Sequence, residues 1–197
     1  MAPTLEAEFR VLHSLRIKGA ASADAVARLA GDAEVTDELA VLEQEGWVLR
    51  RSTTSTLVFA LTASGRERHG QLLAGEGDDS SRAVLAAAYD GAFRPLNRTF
   101  KALCLRWQQA DEHFELLEEV ISTHDQIDAF LADAAEQRLR FSVYRVRLDA
   151  LVERVQDGDT EAYVAPLGES YHNAWFELHE DLIITLGRSR AEEENAA

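Results

Sequence analysis

The sequence predicts a mainly α-helical protein that contains one small β-hairpin. Val35, Leu39 and Leu42 recur at the spacing of one helical face, and Gly46 follows where such a helix would end. Residues 47–51 and 56–61 are apolar runs of strand length on either side of a Ser/Thr turn, which predicts two paired strands. Beyond residue 82 no convincing two-residue alternation appears, so this part of the chain is predicted to be helical.

The N-terminal part has the signals of three helices before the hairpin. Thr4 and Ser22 are predicted to cap the first two helices, and Gly31 to end the second. Asp32 is predicted to cap the third helix, which runs to Glu45. Three helices followed by a hairpin are the element order of a winged helix-turn-helix in which the hairpin is the wing. A further helix is expected over residues 64–74.

Composition shifts mark the domain boundaries. Residues 75–81 are rich in Gly, Asp and Ser and lack apolar anchors, which is typical of a linker. The predicted organisation is a winged helix-turn-helix domain at 1–75, a linker at 76–81, an α-helical bundle at 82–190 and a flexible acidic tail at 191–197. Within the bundle we expect helices at 82–92, 95–109, 111–134, 136–156, about 160–165 and 169–188.

The negative charge of the chain is concentrated in its C-terminal part. The formal net charge is −15, of which −2 belongs to residues 1–75 and −13 to residues 76–197. Proteins that bind nucleic acid usually present a basic surface, so the negative charge of the chain as a whole argues against DNA binding. No apolar run approaches the ~18 residues of a membrane span. With a single cysteine, Cys104, and no signal-peptide pattern, we expect a cytoplasmic protein that does not associate with membranes.

Two sequence blocks resemble the winged-helix domain of MarR-type bacterial transcription regulators. They are VTDELAVLEQEGWV at 35–48 and LTASGR at 61–66. The resemblance is confined to about residues 22–73, and in the family the first block is the recognition helix while the second follows the wing. It implies a dimeric regulator that binds double-stranded DNA and has no cofactor. The family carries dimerisation helices at both ends of this domain, whereas here the first helix is predicted close to the N-terminus.

The resemblance assigns candidate DNA-binding residues. Thr36, Asp37, Ala40 and Gln44 are expected to face the major groove. Arg50 and Arg51 of the wing are expected to contact phosphates. None of the groove-facing residues is basic, and Glu34, Glu38, Glu43 and Glu45 surround them.

This acidity motivates an alternative, a winged-helix module that binds a protein partner and no DNA. In helical content, not in any one motif, residues 82–190 also resemble helical segments that accompany phosphoenolpyruvate/pyruvate dikinase-type enzymes in high-GC bacteria. That likeness implies association with a metabolic enzyme.

We expect the bundle to carry the homodimer contact. Helices 95–109 and 169–188 are the leading segments because they offer the largest apolar area. The residues expected to form this surface are Phe100, Leu103, Trp107, Trp175, Phe176 and Ile183.

Glu169, His172 and His179 are the candidate metal ligands. Glu169 and His172 have the i, i+3 spacing of a carboxylate–histidine pair, and His179 lies two turns further on. A dimetal bundle needs a second such pair, and neither His113 nor His124 has a carboxylate three residues before it. We therefore expect these histidines to make ordinary hydrogen bonds and no metal to be bound.

Cationic side chains form two stripes that are candidates for holding an effector. Arg94, Arg98 and Lys101 share one predicted helix face, and Arg140, Arg147 and Arg154 share another. If the two faces met, they could bind a carboxylate or phosphate effector. The alternative is that they neutralise the acidic bundle through exposed ion pairs of small energetic value. No phosphate-binding loop or nucleophile motif occurs, so we expect no catalytic residues and no enzyme activity.

Overall fold

The computed structural model describes residues 3–53 and 56–189 of the chain. The chain divides into two compact units, Met1–Gly77 (unit 1) and Asp78–Ala197 (unit 2). The described residues are mainly helical and contain one small antiparallel sheet, so the prediction of a mainly helical chain is confirmed. No helix among them is long and apolar enough to cross a membrane. The predicted acidic tail at 191–197 lies outside the described residues.

Unit 1 combines helices with a three-stranded sheet. Its elements are α1 (Leu5–Lys18), β1 (Ala20–Ala21), α2 (Ala23–Ala30), α3 (Thr36–Gln44), β2 (Val48–Ser52), β3 (Leu57–Leu61) and α4 (Ala63–Ala74). The strands pair in the order β1-β3-β2, with Val48 opposite Leu61 and Arg51 opposite Val58. Strands β2 and β3 therefore form the predicted hairpin, and β1 extends its sheet by two residues.

The ends of the helices in unit 1 follow from local capping. Thr4 and Ser22 cap α1 and α2, each accepting a hydrogen bond from the backbone N–H three residues later. The predicted cap of α3 by Asp32 is wrong, because α3 begins after Val35, which makes no side-chain capping bond. The Asp32 carboxylate instead pairs with the guanidinium of Arg10 in α1 at 3.1 Å.

The core of unit 1 is built from aliphatic side chains of α1, α2, α3 and the sheet. Leu39 and Leu42 of α3 are buried on one helical face, as their spacing predicts. Full burial of each such side chain contributes about 1.5–3 kcal/mol. The cluster consists of Val11, Leu12, Leu15, Ala21, Val26, Ala27, Ala30, Val35, Leu39, Leu42, Val48, Phe59 and Leu61.

The regular elements described in unit 2 are all helical. Its helices are α5 (Asp79–Ala88), α6 (Arg94–Gln109), α7 (Leu117–Gln137), α8 (Ser142–Gln156), α9 (Glu161–Val164) and α10 (Tyr171–Leu186). Short 3-10 turns, His113–Leu116 and Leu139–Phe141, precede α7 and α8. Helix α5 begins inside the segment 76–81 that was predicted as a linker, because Asp78 caps it by accepting from the backbone N–H of Ser81 at 2.8 Å.

A π-helical turn joins α5 to α6. It spans Tyr89–Phe93, so the two helices that were predicted at 82–92 and 95–109 form one continuous helical segment. Pro95, at the start of α6, lacks the backbone N–H of a regular helix, and its ring clashes with the carbonyl four residues earlier. A widened turn directly before Pro95 relieves that conflict.

Aromatic rings form the centre of the unit 2 core. The rings of Phe93 and Trp175 stack at 4.7 Å with an interplanar angle of 15°, and Phe100 meets Trp175 at 5.1 Å. The fully buried aromatic side chains are Tyr89, Phe93, Phe100, Phe141, Tyr144, Tyr163 and Tyr171.

This core overturns the predicted self-association surface. Five of the six apolar residues assigned to it are buried within unit 2, namely Phe100, Leu103, Trp107, Trp175 and Ile183. Phe176 alone of the six is exposed, to 50%. The reason is that α6 and α10 turn their aromatic faces toward the interior of unit 2, as the contacts of Phe100 and Trp175 with Tyr171 and Phe93 show.

Candidate nucleic-acid interface and ligand cavity

The solvent-facing side of α3 carries the four residues predicted to face DNA. Thr36, Asp37, Ala40 and Gln44 are all exposed. They lie on the side of the helix opposite Leu39 and Leu42, which are buried. The structure therefore brings these four side chains to one small and polar surface.

Arg50 and Arg51 lie next to each other in β2 and point to opposite faces of the sheet. Arg50 Nε lies 3.3 Å from Glu43 Oε1 of α3, in a pair whose side chains are 55% and 34% exposed. Arg51 is exposed and forms no ion pair with any residue of 3–53 or 56–189. The two arginines, predicted to act together on phosphate, are thus in different electrostatic environments.

A set of hydrogen bonds fastens the hairpin to the end of α3. The Thr62 hydroxyl donates to the carbonyl of Gly46 at 2.7 Å, and the Ser64 hydroxyl donates to the same carbonyl at 3.0 Å. The Thr62 backbone N–H donates to Trp47 O at 3.0 Å. A Cβ on Gly65 would lie 1.9 Å from Trp47 O, so this position requires glycine. Residues of the block 61–66 therefore contact residues of the block 35–48. The residues that carry the MarR resemblance thus hold the hairpin against the end of α3.

The charge around α3 is strongly negative. Residues 34–45 contain five carboxylates and no lysine or arginine, and the carboxylates are Glu34, Asp37, Glu38, Glu43 and Glu45. Three of these belong to α3 itself, where Asp37 and Glu38 lie in its first turn. Negative side chains in the first turn stabilise the helix through its dipole. The same charges repel a phosphate backbone.

Unit 2 contains a cavity of about 440 Å³ between α6 and α10. Arg94, Arg98 and Lys101 line it from α6, at the i, i+4 and i+7 positions of one helical face. Trp175 and Phe176 line it from α10. No aspartate or glutamate is among the described residues that line it. The structure thus places the first predicted cationic stripe at a cavity with an aromatic wall.

The second cationic stripe is elsewhere, and its assignment to the effector site is wrong. Arg140 Nη2 lies 3.0 Å from Asp181 Oδ1, and their side chains are 11% and 2% exposed. Arg147 pairs with Glu169 at 2.7 Å and with Glu177 at 2.8 Å. Both arginines are thereby bound to carboxylates on α10 or on the segment before it. The alternative of exposed ion pairs is also wrong for Arg140 and Arg147, because both guanidinium groups are largely buried. It agrees with Arg154, the third residue of the stripe, which forms an exposed pair with Asp159.

The burial of Arg147 has consequences for its ionisation. Burial by itself disfavours the charged guanidinium, but Glu177 and Glu169 outweigh that effect and raise the pKa of Arg147. The arginine therefore stays charged inside the unit. Its role is to hold α8 against α10, and its hydrogen-bonding groups face carboxylates of its own chain.

A second buried polar group, centred on Asp181, was not predicted from the sequence. The Tyr144 hydroxyl donates to Asp181 Oδ2 at 3.1 Å, and the Thr185 hydroxyl donates to Asp181 Oδ1 at 3.0 Å. Burial, with a further contribution from the charge of Asp181, raises the pKa of Tyr144 well above its usual range. The signal in the sequence was a carboxylate on the same helical face as Leu178 and Leu182, a position that faces the core.

The candidate metal ligands do not form a metal site. Glu169 accepts from Arg147, and His179 Nε2 lies 3.0 Å from the Tyr89 hydroxyl. His172 is exposed at the cavity, where its ring stacks on Phe100 at 6.4 Å. Across the described part of the chain, no group of three or more His, Cys, Asp or Glu side chains could hold a metal ion.

When the chain is compared with known proteins, no protein-family model, no curated protein and no solved structure matches it.

Proposed function

We propose that the chain is a MarR-like transcription regulator that binds double-stranded DNA through a winged helix formed by unit 1. The observation that carries the proposal is the exposed polar face of α3, followed directly by the β2–β3 hairpin. A helix that presents small and polar side chains beside a hairpin matches the arrangement by which such domains enter the major groove.

The side chains on α3 have defined roles in this proposal. Gln44 binds an adenine edge through its amide, and Asp37 accepts a hydrogen bond from a cytosine amino group. The Thr36 hydroxyl contacts a donor or an acceptor on a base edge, or a phosphate. Arg51, which has no partner among the described residues, neutralises a phosphate, while Arg50 does so only after leaving Glu43.

The wing is tested by fluorescence anisotropy on DNA from the protein's own upstream region, at about 50 mM salt. Arg51→Ala should weaken binding to every sequence alike and reduce the salt slope by about one charge. Arg16→Ala, which removes an exposed arginine of α1, is the matched control and should change affinity less. An Arg51→Ala protein that binds as tightly as the unaltered chain would remove the wing from the proposal.

The Arg50–Glu43 pair gives a sharper test in the opposite direction. Glu43→Gln removes one negative charge from α3 and releases Arg50, so DNA affinity should rise. Glu67→Gln makes the same change of charge on α4 and is the control. If both variants gain equally, only net charge matters and the α3 face is not the DNA-binding surface.

The five carboxylates at 34–45 favour a second candidate function, a winged-helix module that binds a protein. An acidic helix beside a hairpin fits a partner with a basic surface. Co-purification from native extract separates the candidates, because a DNA fragment supports the regulator and a stoichiometric protein supports the module. Glu43→Gln then acts with opposite signs, strengthening DNA binding in one case and weakening the protein complex in the other.

The proposal includes a homodimer that forms through unit 2. Since the predicted aromatic surface is buried, the contact must use other exposed apolar side chains. Among the described residues of unit 2, the largest exposed fractions belong to Phe114 at 83%, Leu139 at 78%, Val146 at 69% and Leu167 at 87%. Sedimentation equilibrium of the full chain tests this, and a monomer at tens of micromolar would exclude the dimer. A Leu139→Ser and Val146→Ser double variant should shift a dimer toward monomer.

A further inference from the structure

The cavity between α6 and α10 has an unusual charge for its surroundings. Residues 76–197 have a net charge of −13, yet three cations and no described carboxylate line this cavity. Like charges that gather in one concave site repel each other and attract an ion of opposite sign. The cavity is therefore a place in unit 2 where a small anion would be attracted into a pocket.

Two of the three cations are available to a ligand. Arg98 and Lys101 are exposed and make no ion pair or hydrogen bond with any residue in the described part of the chain. Arg94 lies 3.9 Å from Asp90, whose carboxylate already accepts two hydrogen bonds of 2.7 Å from Arg188. Arg98 and Lys101 are three residues apart on α6, so one anionic group can contact both.

The opposite wall offers a fixed aromatic surface. The Trp175 indole N–H donates to Asn97 Oδ1 at 2.9 Å, and its ring is stacked on Phe93, so its orientation is set before any ligand arrives. Phe176 beside it is 50% exposed. An exposed phenyl ring next to a buried indole is a surface on which a flat apolar molecule gains contact area.

The π-helical turn shapes one end of the same cavity. Tyr89 and Arg94, at the start of the turn and directly after it, both line the cavity. The hydrogen bond from Tyr89 to His179 ties this turn to α10. Such turns occur frequently at functional sites, because they displace side chains from regular helical positions.

We propose that this cavity binds an amphipathic small anion, a molecule with a flat apolar body and a carboxylate or phosphate group. The anionic group lies against Arg98 and Lys101, and the apolar body lies against Phe176 and Trp175. The volume of about 440 Å³ falls in the range of small-molecule sites. This inference concerns unit 2 alone and does not depend on DNA binding by unit 1.

The test is isothermal titration calorimetry of the full chain with three ligands that share one apolar body. They are 1-naphthoate, 1-naphthyl phosphate and the neutral 1-naphthamide. The two anions should bind at least tenfold more tightly than the amide, and their affinity should fall as salt is raised from about 0.05 to 0.5 M. The tighter of the two anions identifies the preferred anionic group. Equal affinity for the amide, or no binding of either anion at millimolar concentration, would overturn the proposal.

Variants assign the binding to the cavity. Arg98→Ala with Lys101→Ala should weaken both anions at least tenfold and leave the amide nearly unchanged. Phe176→Ala should weaken all three ligands. Arg106→Ala is the matched control, because Arg106 lies on α6 but pairs with Glu119 in an exposed bridge and does not line the cavity. A loss of anion affinity in Arg106→Ala as large as in the double variant would place the site elsewhere. Because no DNA is present, failure of the regulator proposal leaves these outcomes unaffected.

Discussion

Units 1 and 2 are both mainly helical, but they are stabilised by different chemistry. The main hydrophobic cluster of unit 1 consists of leucine, valine and alanine, with Phe59 as its one aromatic member. Phe9 is also buried but does not belong to this cluster. The core of unit 2 is a continuous set of aromatic rings around Phe93, Phe100 and Trp175. Aliphatic side chains pack on both helices and sheets, whereas large rings fill the wider spaces between long helices.

The ion pairs of the two units differ in how deeply they are buried. The Arg50–Glu43 pair of unit 1 is well exposed, and even Glu8–Arg68 leaves its arginine 27% exposed. In unit 2 the Arg140–Asp181 pair is 11% and 2% exposed. An exposed pair contributes little, whereas a buried pair is costly to break because it leaves a charge without its partner. Loss of one charge should therefore have much larger effects in unit 2.

The largest expected effect tests that difference directly. Asp181→Ala deprives Arg140 of its carboxylate and removes the acceptor of the Tyr144 and Thr185 hydroxyls. It should lower the free energy of unfolding by about 3–5 kcal/mol, measured by urea denaturation. Glu43→Ala breaks the exposed pair with Arg50 of unit 1 and should cost less than about 1 kcal/mol. Equal costs for the two variants would show that burial does not distinguish the pairs.

In unit 1 the most sensitive position is a backbone contact and not a charge. Gly65→Ala places a Cβ at 1.9 Å from Trp47 O, so α4 must shift away from the end of the hairpin. We expect a cost of about 3 kcal/mol in thermal or urea denaturation. Gly70→Ala, on the same helix with no atom within 4 Å of the new Cβ, should instead stabilise by roughly 0.5–1 kcal/mol. Destabilisation by Gly70→Ala of similar size would contradict the explanation by close contact.

Helix caps should show a smaller difference in stability between a buried and an exposed position. Ser170 is fully buried, accepts from the Asn173 backbone N–H at 3.3 Å and donates to Ala165 O at 2.9 Å. Ser170→Ala should cost about 1–2 kcal/mol. Thr4→Ala, at the exposed cap of α1, should cost closer to 0.5 kcal/mol. The comparison is made by urea denaturation under identical conditions.

The smallest expected effect concerns the ionisation and reactivity of the Cys104 thiol. Burial raises the pKa of its thiol to about 12, so the thiol stays protonated in the folded chain at pH 8. Reaction with a disulfide reagent at pH 8 should be slow until the chain unfolds, and complete in strong denaturant. Because the pKa of the Cys104 thiol is higher in the folded chain than in the unfolded chain, the protonated thiol favours the folded state below about pH 9. This contribution to the free energy of unfolding is lost as the pH rises toward 12. Rapid labelling of the folded chain would contradict this burial.

Local sequence patterns predicted much of unit 1. The helical spacing of Leu39 and Leu42 and the caps at Thr4 and Ser22 are local signals, and the structure has the corresponding helices. The exposed positions of Thr36 and Gln44 follow from the same spacing, because residues that alternate with a buried stripe must face solvent. The cap at Asp32 failed because Arg10, distant in sequence, offers that carboxylate a charged partner.

In unit 2 the sequence predicted the helices but not their partners. Periodicity identifies which residues of α6 and α10 are apolar, yet it could not say that Phe100 and Trp175 face each other inside unit 2, where neither is available for association. Periodicity made Arg98 and Arg147 equal candidates for binding an effector. They differ because only Arg147 meets carboxylates of α10 and the segment before it.

The sequence by itself determined the helical content, the hairpin and the polar face of α3, because each depends on contacts within a few residues. Only the tertiary structure decided which charges are neutralised. Arg140 and Arg147 are bound to buried carboxylates, whereas Arg98 and Lys101 remain at an aromatic cavity. The physical reason is that an ion pair depends on distance in space, and residues 22 to 41 positions apart meet only after the helices have packed.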